Sequence, residues 1–186
     1  KNLLITYHPV TLSDTGTQEQ FNALLDVIDG FEDTNVIITK SNADPGGKKI
    51  NEMIDKFVSA NRKRAVAFTS MGQLKYLSTM RFVDAVVGNS SSGIIEAPSF
   101  KIGTINIGDR QKGRIKAESI IDCEPTKSGI KEAFEKLYSK GFKTKLNNIT
   151  NPYGDGKTAE KIKKILKTHD IANIVKKSFF NIDFIY

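Results

Sequence analysis

Apolar residues recur along this chain with two alternating periods. Compact runs rich in branched apolar residues read as strands at 2–7 (NLLITY), 35–39 (NVIIT), 64–68 (RAVAF), 84–88 (DAVVG) and 103–107 (GTINI), with a weaker one at 119–121. Between the first two, Phe21, Leu24, Leu25 and Ile28 fall at i, i+3, i+4 and i+7, one face of a helix that Gly30 ends. Helical patterns at 48–61 and 70–80 fill the next two gaps, and Ile130, Ala133, Phe134 and Leu137 mark another. Residues 93–100 read as a short helix whose last turn Pro98 distorts, because proline has no N–H to donate. The stretch 140–153 reads as irregular. It leads into a basic helical segment, 157–177, where Ile162, Ile165 and Leu166 form an apolar stripe.

Strands alternating with helices predict an α/β protein: a doubly wound parallel sheet, Rossmann-like, covered on both faces. With the strand order 3-2-1-4-5-6, strands one and four are neighbours at the switch point, and ligands bind beyond their carboxyl ends. His8 follows strand one and Ser90–Gly93 follow strand four, so topology sets these two features side by side. A histidine before proline also fits a plain turn, and both readings stand. The 186 residues suit a single domain over 1–186, with 157–186 a C-terminal helical tail. A strand that begins at the second residue, with no initiator Met, leads us to expect a piece of a longer protein.

Composition narrows the partners. The formal charge is +7, from 28 Lys+Arg against 21 Asp+Glu, and much of the excess lies in the 157–177 segment. That pattern reads as the solvated face of a helix; it lacks the clustered arginines and interleaved aromatics of a nucleic-acid surface, so no nucleic-acid partner is expected. No apolar run has the length of a membrane span and no signal peptide is visible, so no membrane partner is expected. The single Cys123 excludes an internal disulfide and, with the above, points to a cytoplasmic, reducing setting. The chain has neither G-x-G-x-x-G nor G-x-x-x-x-G-K-[ST], and its two histidines, His8 and His169, are far apart, so neither a cofactor nor a metal is expected.

The candidate chemistry concentrates in 88–114, GNSSSGIIEAPSFKIGTINIGDRQKGR. A serine-rich turn at the end of a strand, opening into a helix, offers hydroxyl and backbone donors to a phosphate. Glu96, one turn on, faces away from the phosphates, where a carboxylate can accept both hydroxyls of a ribose. The plain alternative is an ordinary Ser/Asn helix cap with a surface glutamate. Arg110 and Arg114, after the next strand, weigh against it. The serines lie outside any G-x-S-x-G elbow, which counts against a hydrolase nucleophile.

Five segments together resemble the C-terminal half of UDP-N-acetylglucosamine 2-epimerases, with most likeness to the hydrolysing bacterial type of sialic acid synthesis. They are TYHPVTL (6–12), SNADPGG (41–47), VVGNSSSGIIEAPSF (86–100), INIGDRQKGR (105–114) and NPYGDGKTAEKI (151–162). The resemblance implies the second of two Rossmann-like domains of a GT-B arrangement, whose partners are UDP and UDP-GlcNAc, an N-terminal domain of the same parent chain, and further copies in a homo-oligomer. It implies that Ser90, Ser91 and Gly93 form the diphosphate turn, Glu96 the ribose carboxylate, and Asn42 and the 68–71 loop, with Met71, the walls around the nucleoside. Arg110 matches the arginine on the diphosphate and sugar side, and His8 the histidine near the leaving group; these two are the catalytic candidates. Arg114 matches a family arginine without a defined role. The implied chemistry is elimination of UDP followed by addition of water, giving N-acetylmannosamine. Two other classes share the same pocket: a non-catalytic nucleotide-sugar binding module and a GT-B glycosyltransferase domain.

Overall fold

The computed structural model describes residues 1–10, 16–42 and 46–170. Thr11 and Leu12, residues 43–45 and the last part of the basic segment, from 171 on, lie outside the described residues. Six strands form one sheet: β1 (Asn2–Thr6), β2 (Asn35–Thr39), β3 (Ala65–Phe68), β4 (Ala85–Gly88), β5 (Gly103–Ile107) and β6 (Ile120–Cys123). All neighbours pair in parallel, in the order β3-β2-β1-β4-β5-β6. This is the doubly wound sheet that the alternating pattern predicts, with β1 and β4 adjacent at the switch point.

The register explains the two cores. Leu3 pairs with Val36 and Ala85, and Ile5 with Ile38 and Val87, so these side chains share one face. On that face they bury against Phe21, Leu24 and Ile28 of α1 (Thr17–Asp29), Ile50 and Ile54 of α2 (Gly47–Ala60), and Ile130 and Phe134 of α5 (Lys127–Tyr138). Leu4 and Val86 point to the other face, where Met80, Val83 and Ala97 form a smaller core. This second face carries α3 (Gly72–Thr79) and α4 (Ser92–Ile95).

Two elements differ from their sequence-based expectations. Residues 140–153 include a helix, α6 (Lys140–Leu146). Ser139 ends α5 and caps α6, its hydroxyl accepting from the Phe142 N–H at 3.3 Å, and Phe142 is buried. A single buried aromatic among lysines gives no repeat for a periodicity reading to detect. The helix expected at 93–100 is shorter and begins one residue earlier. It is one α-turn, Ser92–Ile95, followed by a 3₁₀ turn, Ala97–Phe100. Pro98 cannot donate to the Ile94 carbonyl, and the Ser99 N–H bonds instead to the Glu96 carbonyl at 3.0 Å.

The chain divides into two compact units, Lys1–Pro152 and Tyr153–Tyr186. The first holds the sheet. In the second, α7 (Thr158–Thr168) leaves Ile162, Ile165 and Leu166 exposed, and Lys161 pairs with Asp155 at 3.3 Å. Among the described residues no helix is long and apolar enough to cross a membrane.

Candidate functional site

Strand β4 ends in a glycine for a steric reason. Gly88 has φ +134°, and a Cβ there would lie 2.0 Å from the Thr6 carbonyl oxygen. The chain turns here close against the end of β1, and the next residue, Asn89, is fully buried. Its side chain clamps the main chain of His8 from both sides: Oδ1 accepts from the His8 N–H and Nδ2 donates to the His8 carbonyl, each at 2.8 Å. Its own carbonyl accepts from Arg110 Nη1 at 3.0 Å and Gln111 Nε2 at 2.8 Å. One asparagine thus ties the turn after β1 to the loop after β5. The juxtaposition of His8 with the serine turn, expected from topology, is made through it.

The histidine ring has a defined orientation. The Asn42 N–H donates to His8 Nδ1 at 3.4 Å, so the neutral ring carries its proton on Nε2. Asn42 itself is exposed at the start of the α2 loop, and its side-chain oxygen accepts from the Ser41 hydroxyl at 3.4 Å. Asn42, His8 and Arg110, joined through Asn89, therefore belong to one cluster at the carboxyl ends of β2, β1, β5 and β4.

The serine turn is held by hydroxyls. Ser90 Oγ accepts from the Ser92 hydroxyl at 3.2 Å and the Ser92 N–H at 3.4 Å. Tyr76 on α3 touches Ser92 Oγ at 2.6 Å and Thr6 Oγ1 at 3.3 Å, and Thr6 Oγ1 lies 2.6 Å from Thr39 Oγ1. The Ser91 carbonyl accepts from the N–H groups of Ile94 and Ile95, at 3.0 and 2.9 Å. Gly93 is buried, its carbonyl accepts from Thr104 Oγ1 at 2.7 Å, and a Cβ there would meet Thr104 Cγ2 at 2.6 Å. Its small size lets α4 lie against β5, a packing role that the sequence did not indicate. Because α4 is a single turn, its dipole is slight, and the hydroxyls and Arg110 are the stronger anion groups here.

Glu96 sits where α4 passes into the 3₁₀ turn. Its Oε2 is buried without a hydrogen-bond partner, and desolvation raises its carboxyl above the usual range. The segment is fixed by Asn151, whose Nδ2 donates to the Ile95 carbonyl at 2.8 Å and to Ser99 Oγ at 2.7 Å. A carboxylate oxygen stripped of water and unpaired is an acceptor awaiting a donor. A raised carboxyl pKa favours the fold when the group is protonated, and that benefit is lost as pH rises through it. We therefore expect Glu96→Gln to be at least as stable as the parent at neutral pH, the gap closing as the pH falls and Glu96 itself becomes neutral. Denaturant titrations across that range measure it, and a variant less stable at neutral pH would contradict it.

The remaining candidates are placed less tightly. Met71 stands just before α3 and packs against the smaller core beside Leu4 and Met80. Arg114 is exposed at a turn closed by its own N–H on the Gln111 carbonyl at 3.3 Å. A groove of about 860 Å³ opens elsewhere, beyond β5 and β6, among Gly108, Lys112, Lys116, Asp122 and Glu124. Lys116 pairs there with Asp122 at 2.8 Å, so the groove concentrates no charge of one sign, and its lining excludes the histidine and the serines. The switch-point cluster is the better candidate on chemistry. Cys123 also lines the groove, and burial with Asp122 and Glu124 nearby pushes its thiol up to about 12, far from a thiolate nucleophile.

Sequence reasoning did not single out Asn89, Gln111, Tyr76, Thr6 or Thr39. Asn89, Gln111 and Thr6 lie inside the segments that carry the resemblance, and Asn89, Thr6 and Thr39 each had the signal of a polar residue at a strand end. Tyr76 gave none.

The sequence model of the UDP-N-acetylglucosamine 2-epimerase family matches residues 1–167. A Campylobacter jejuni GDP/UDP-N,N'-diacetylbacillosamine 2-epimerase (hydrolyzing) is 46% identical over 180 residues, 96% of this chain and 46% of the relative. The Escherichia coli polysialic acid biosynthesis protein P7 is 36% identical over 151 residues, 81% of this chain and 38% of the relative. Among solved structures, S. aureus MnaA with UDP superposes with a TM-score of 0.72 at 20% identity, over 97% of this chain and 49% of that one, which shows a shared fold. The chain spans about half the length of the curated relatives it matches.

Proposed function

This chain belongs to the UDP-N-acetylglucosamine 2-epimerase family, and from that membership we propose that it is the nucleotide-binding C-terminal half of a hydrolysing 2-epimerase acting on a UDP-linked 2-acetamido sugar. In this reading UDP leaves from C1 as a proton is lost from C2, giving a 2-acetamidoglucal. Addition of water then yields the 2-epimer, N-acetylmannosamine when the substrate is UDP-GlcNAc, as in sialic acid synthesis. The observation that carries it is the meeting of His8, Asn42, Asn89 and Arg110 beside the serine turn at the switch point. The chemistry of that cluster suits a departing diphosphate. Arg110 and the serine hydroxyls supply fixed donors for the developing charge, and a neutral His8 can offer its Nε2 proton to the leaving oxygen. Glu96 takes the ribose hydroxyls on its unpartnered oxygen. Asn42 and Met71 flank the nucleoside.

Among the described residues the cluster of His8, Asn42, Asn89 and Arg110 holds no carboxylate, and in this reading the base that removes the C2 proton belongs to the other half of the parent protein. The test follows. Titration calorimetry is expected to show weak UDP binding by this 186-residue chain, Glu96→Gln lowering the affinity at least about tenfold. The chain alone is expected to release no UDP from UDP-GlcNAc, whereas the full-length protein releases UDP and free 2-epimer without any acceptor sugar. An acceptor requirement would indicate a glycosyltransferase instead, and binding without turnover in the full-length protein a nucleotide-sugar sensor.

A second reading concerns only the sugar. The 46% identity to a diacetylbacillosamine 2-epimerase favours a 2,4-diacetamido substrate, and competing the two UDP-sugars in one assay separates them.

A further inference from the structure

The hydroxyl network behind the serine turn takes its direction from the bonds whose donors the geometry singles out. Each Ser, Thr or Tyr hydroxyl has one hydrogen to donate. The geometry makes the Ser92 hydroxyl the donor to Ser90 Oγ at 3.2 Å; with its one proton used there, Tyr76 is the donor in their 2.6 Å contact, where geometry alone admits either. The Thr39 hydroxyl donates to the Ile5 carbonyl at 3.4 Å, so Thr6 is the donor in its 2.6 Å contact with Thr39. That leaves the Thr6–Tyr76 approach, at 3.3 Å, as the longest hydroxyl–hydroxyl spacing in the network and without a proton of its own. The network therefore splits there. One arm runs from Thr6 into the sheet, and the other runs from Tyr76 through Ser92 to Ser90.

Ser90 ends the second arm as the acceptor of two hydrogen bonds, from the Ser92 hydroxyl and the Ser92 N–H. Its own proton is committed to neither. An oxygen that accepts two hydrogen bonds becomes a stronger donor, because each bond in a chain polarises the next. We propose that Tyr76 is a positioning residue for phosphate binding, acting through Ser92 to turn the Ser90 hydroxyl outward as a polarised donor to a phosphate oxygen. The inference rests on the switch point taking a nucleoside diphosphate. It adds that affinity for the phosphates depends on a side chain on α3 that makes no phosphate contact itself.

The test uses this chain, titrated with UDP and with uridine. Tyr76→Phe keeps the ring and deletes one hydroxyl. It is expected to weaken UDP about fivefold to tenfold, the worth of one hydrogen bond, and to leave uridine unchanged. Ser92→Ala breaks the same relay one step nearer and is expected to give the same split, so it decides the matter if the tyrosine variant folds poorly. Combining Tyr76→Phe with Ser90→Ala is expected to cost no more than Ser90→Ala alone, since the tyrosine acts only through that serine. Additive losses, equal losses for UDP and uridine, or an unchanged UDP affinity would each overturn the relay. A parent chain that binds UDP no better than uridine would overturn the diphosphate reading itself, and the relay with it.

Discussion

His8→Asn is expected to lower kcat by roughly 10²–10⁴-fold in the full-length protein, the usual range for a positioned proton donor, while UDP affinity moves by less than about threefold. The substitution spares what holds the turn. Asn89 grips the N–H and carbonyl of residue 8, which any side chain supplies, so the loop keeps its place. An asparagine oxygen can also take over as acceptor for the Asn42 N–H that now reaches Nδ1 at 3.4 Å. What disappears is the Nε2 proton, and with it the group able to transfer a proton as the C1–O bond breaks. In the ground state that proton is worth one neutral hydrogen bond, which is why binding should hardly change. Steady-state kinetics with parallel UDP calorimetry decide it. A near-normal kcat would reduce His8 to a turn residue and leave the diphosphate donors to support departure unaided.

How much of this was legible in the sequence depends on whether the signal was local. Strands β1, β2, β4 and β5 announced themselves as compact, largely buried apolar runs of a parallel sheet, which need no partner to be recognised. The edge strand β3 did so by a similar run, although Val66 and Phe68 are exposed. β6 was less distinct: its Asp122 and Cys123 interrupt the apolar run, and it lies three positions from the switch point in the sheet. The serine turn and Arg110 stood out by residue type. The clamp of Asn89 on His8 did not, since the two are separated by 81 positions and the pairing of an asparagine side chain with a distant main chain leaves no pattern in either segment. Gly93 was legible as a glycine but not in its packing role, because Thr104, the residue it makes room for, lies on β5, beyond the helix that holds the glycine. Tyr76 shows the same limit: a tyrosine on a short helix with no fully buried residue is unremarkable until the serine it touches is known.

Arg110→Ala should fail differently from the histidine variant, and the difference separates binding from chemistry. Its guanidinium is always charged and, in the proposed reading, meets a diphosphate in substrate and in transition state alike. Loss of the side chain is expected to weaken UDP and raise KM, with a further fall in kcat as the leaving charge grows; together these lower kcat/KM by roughly 10²–10³-fold, the cost of removing one preorganised donor from an oxyanion site. Arg110→Lys should recover part of the binding but not the forked geometry, so it falls between the two. Fold stability is expected to change little. The Asn89 carbonyl that Arg110 reaches at 3.0 Å also accepts from Gln111 Nε2 at 2.8 Å, so truncation leaves that buried oxygen partnered. Uridine provides the internal control, because a nucleoside without phosphates has nothing for the arginine to hold. Equal affinity of the alanine variant and its parent for UDP, with a drop in stability instead, would make Arg110 a fastener between the ends of β4 and β5, and the serine hydroxyls would then have to hold the diphosphate without it.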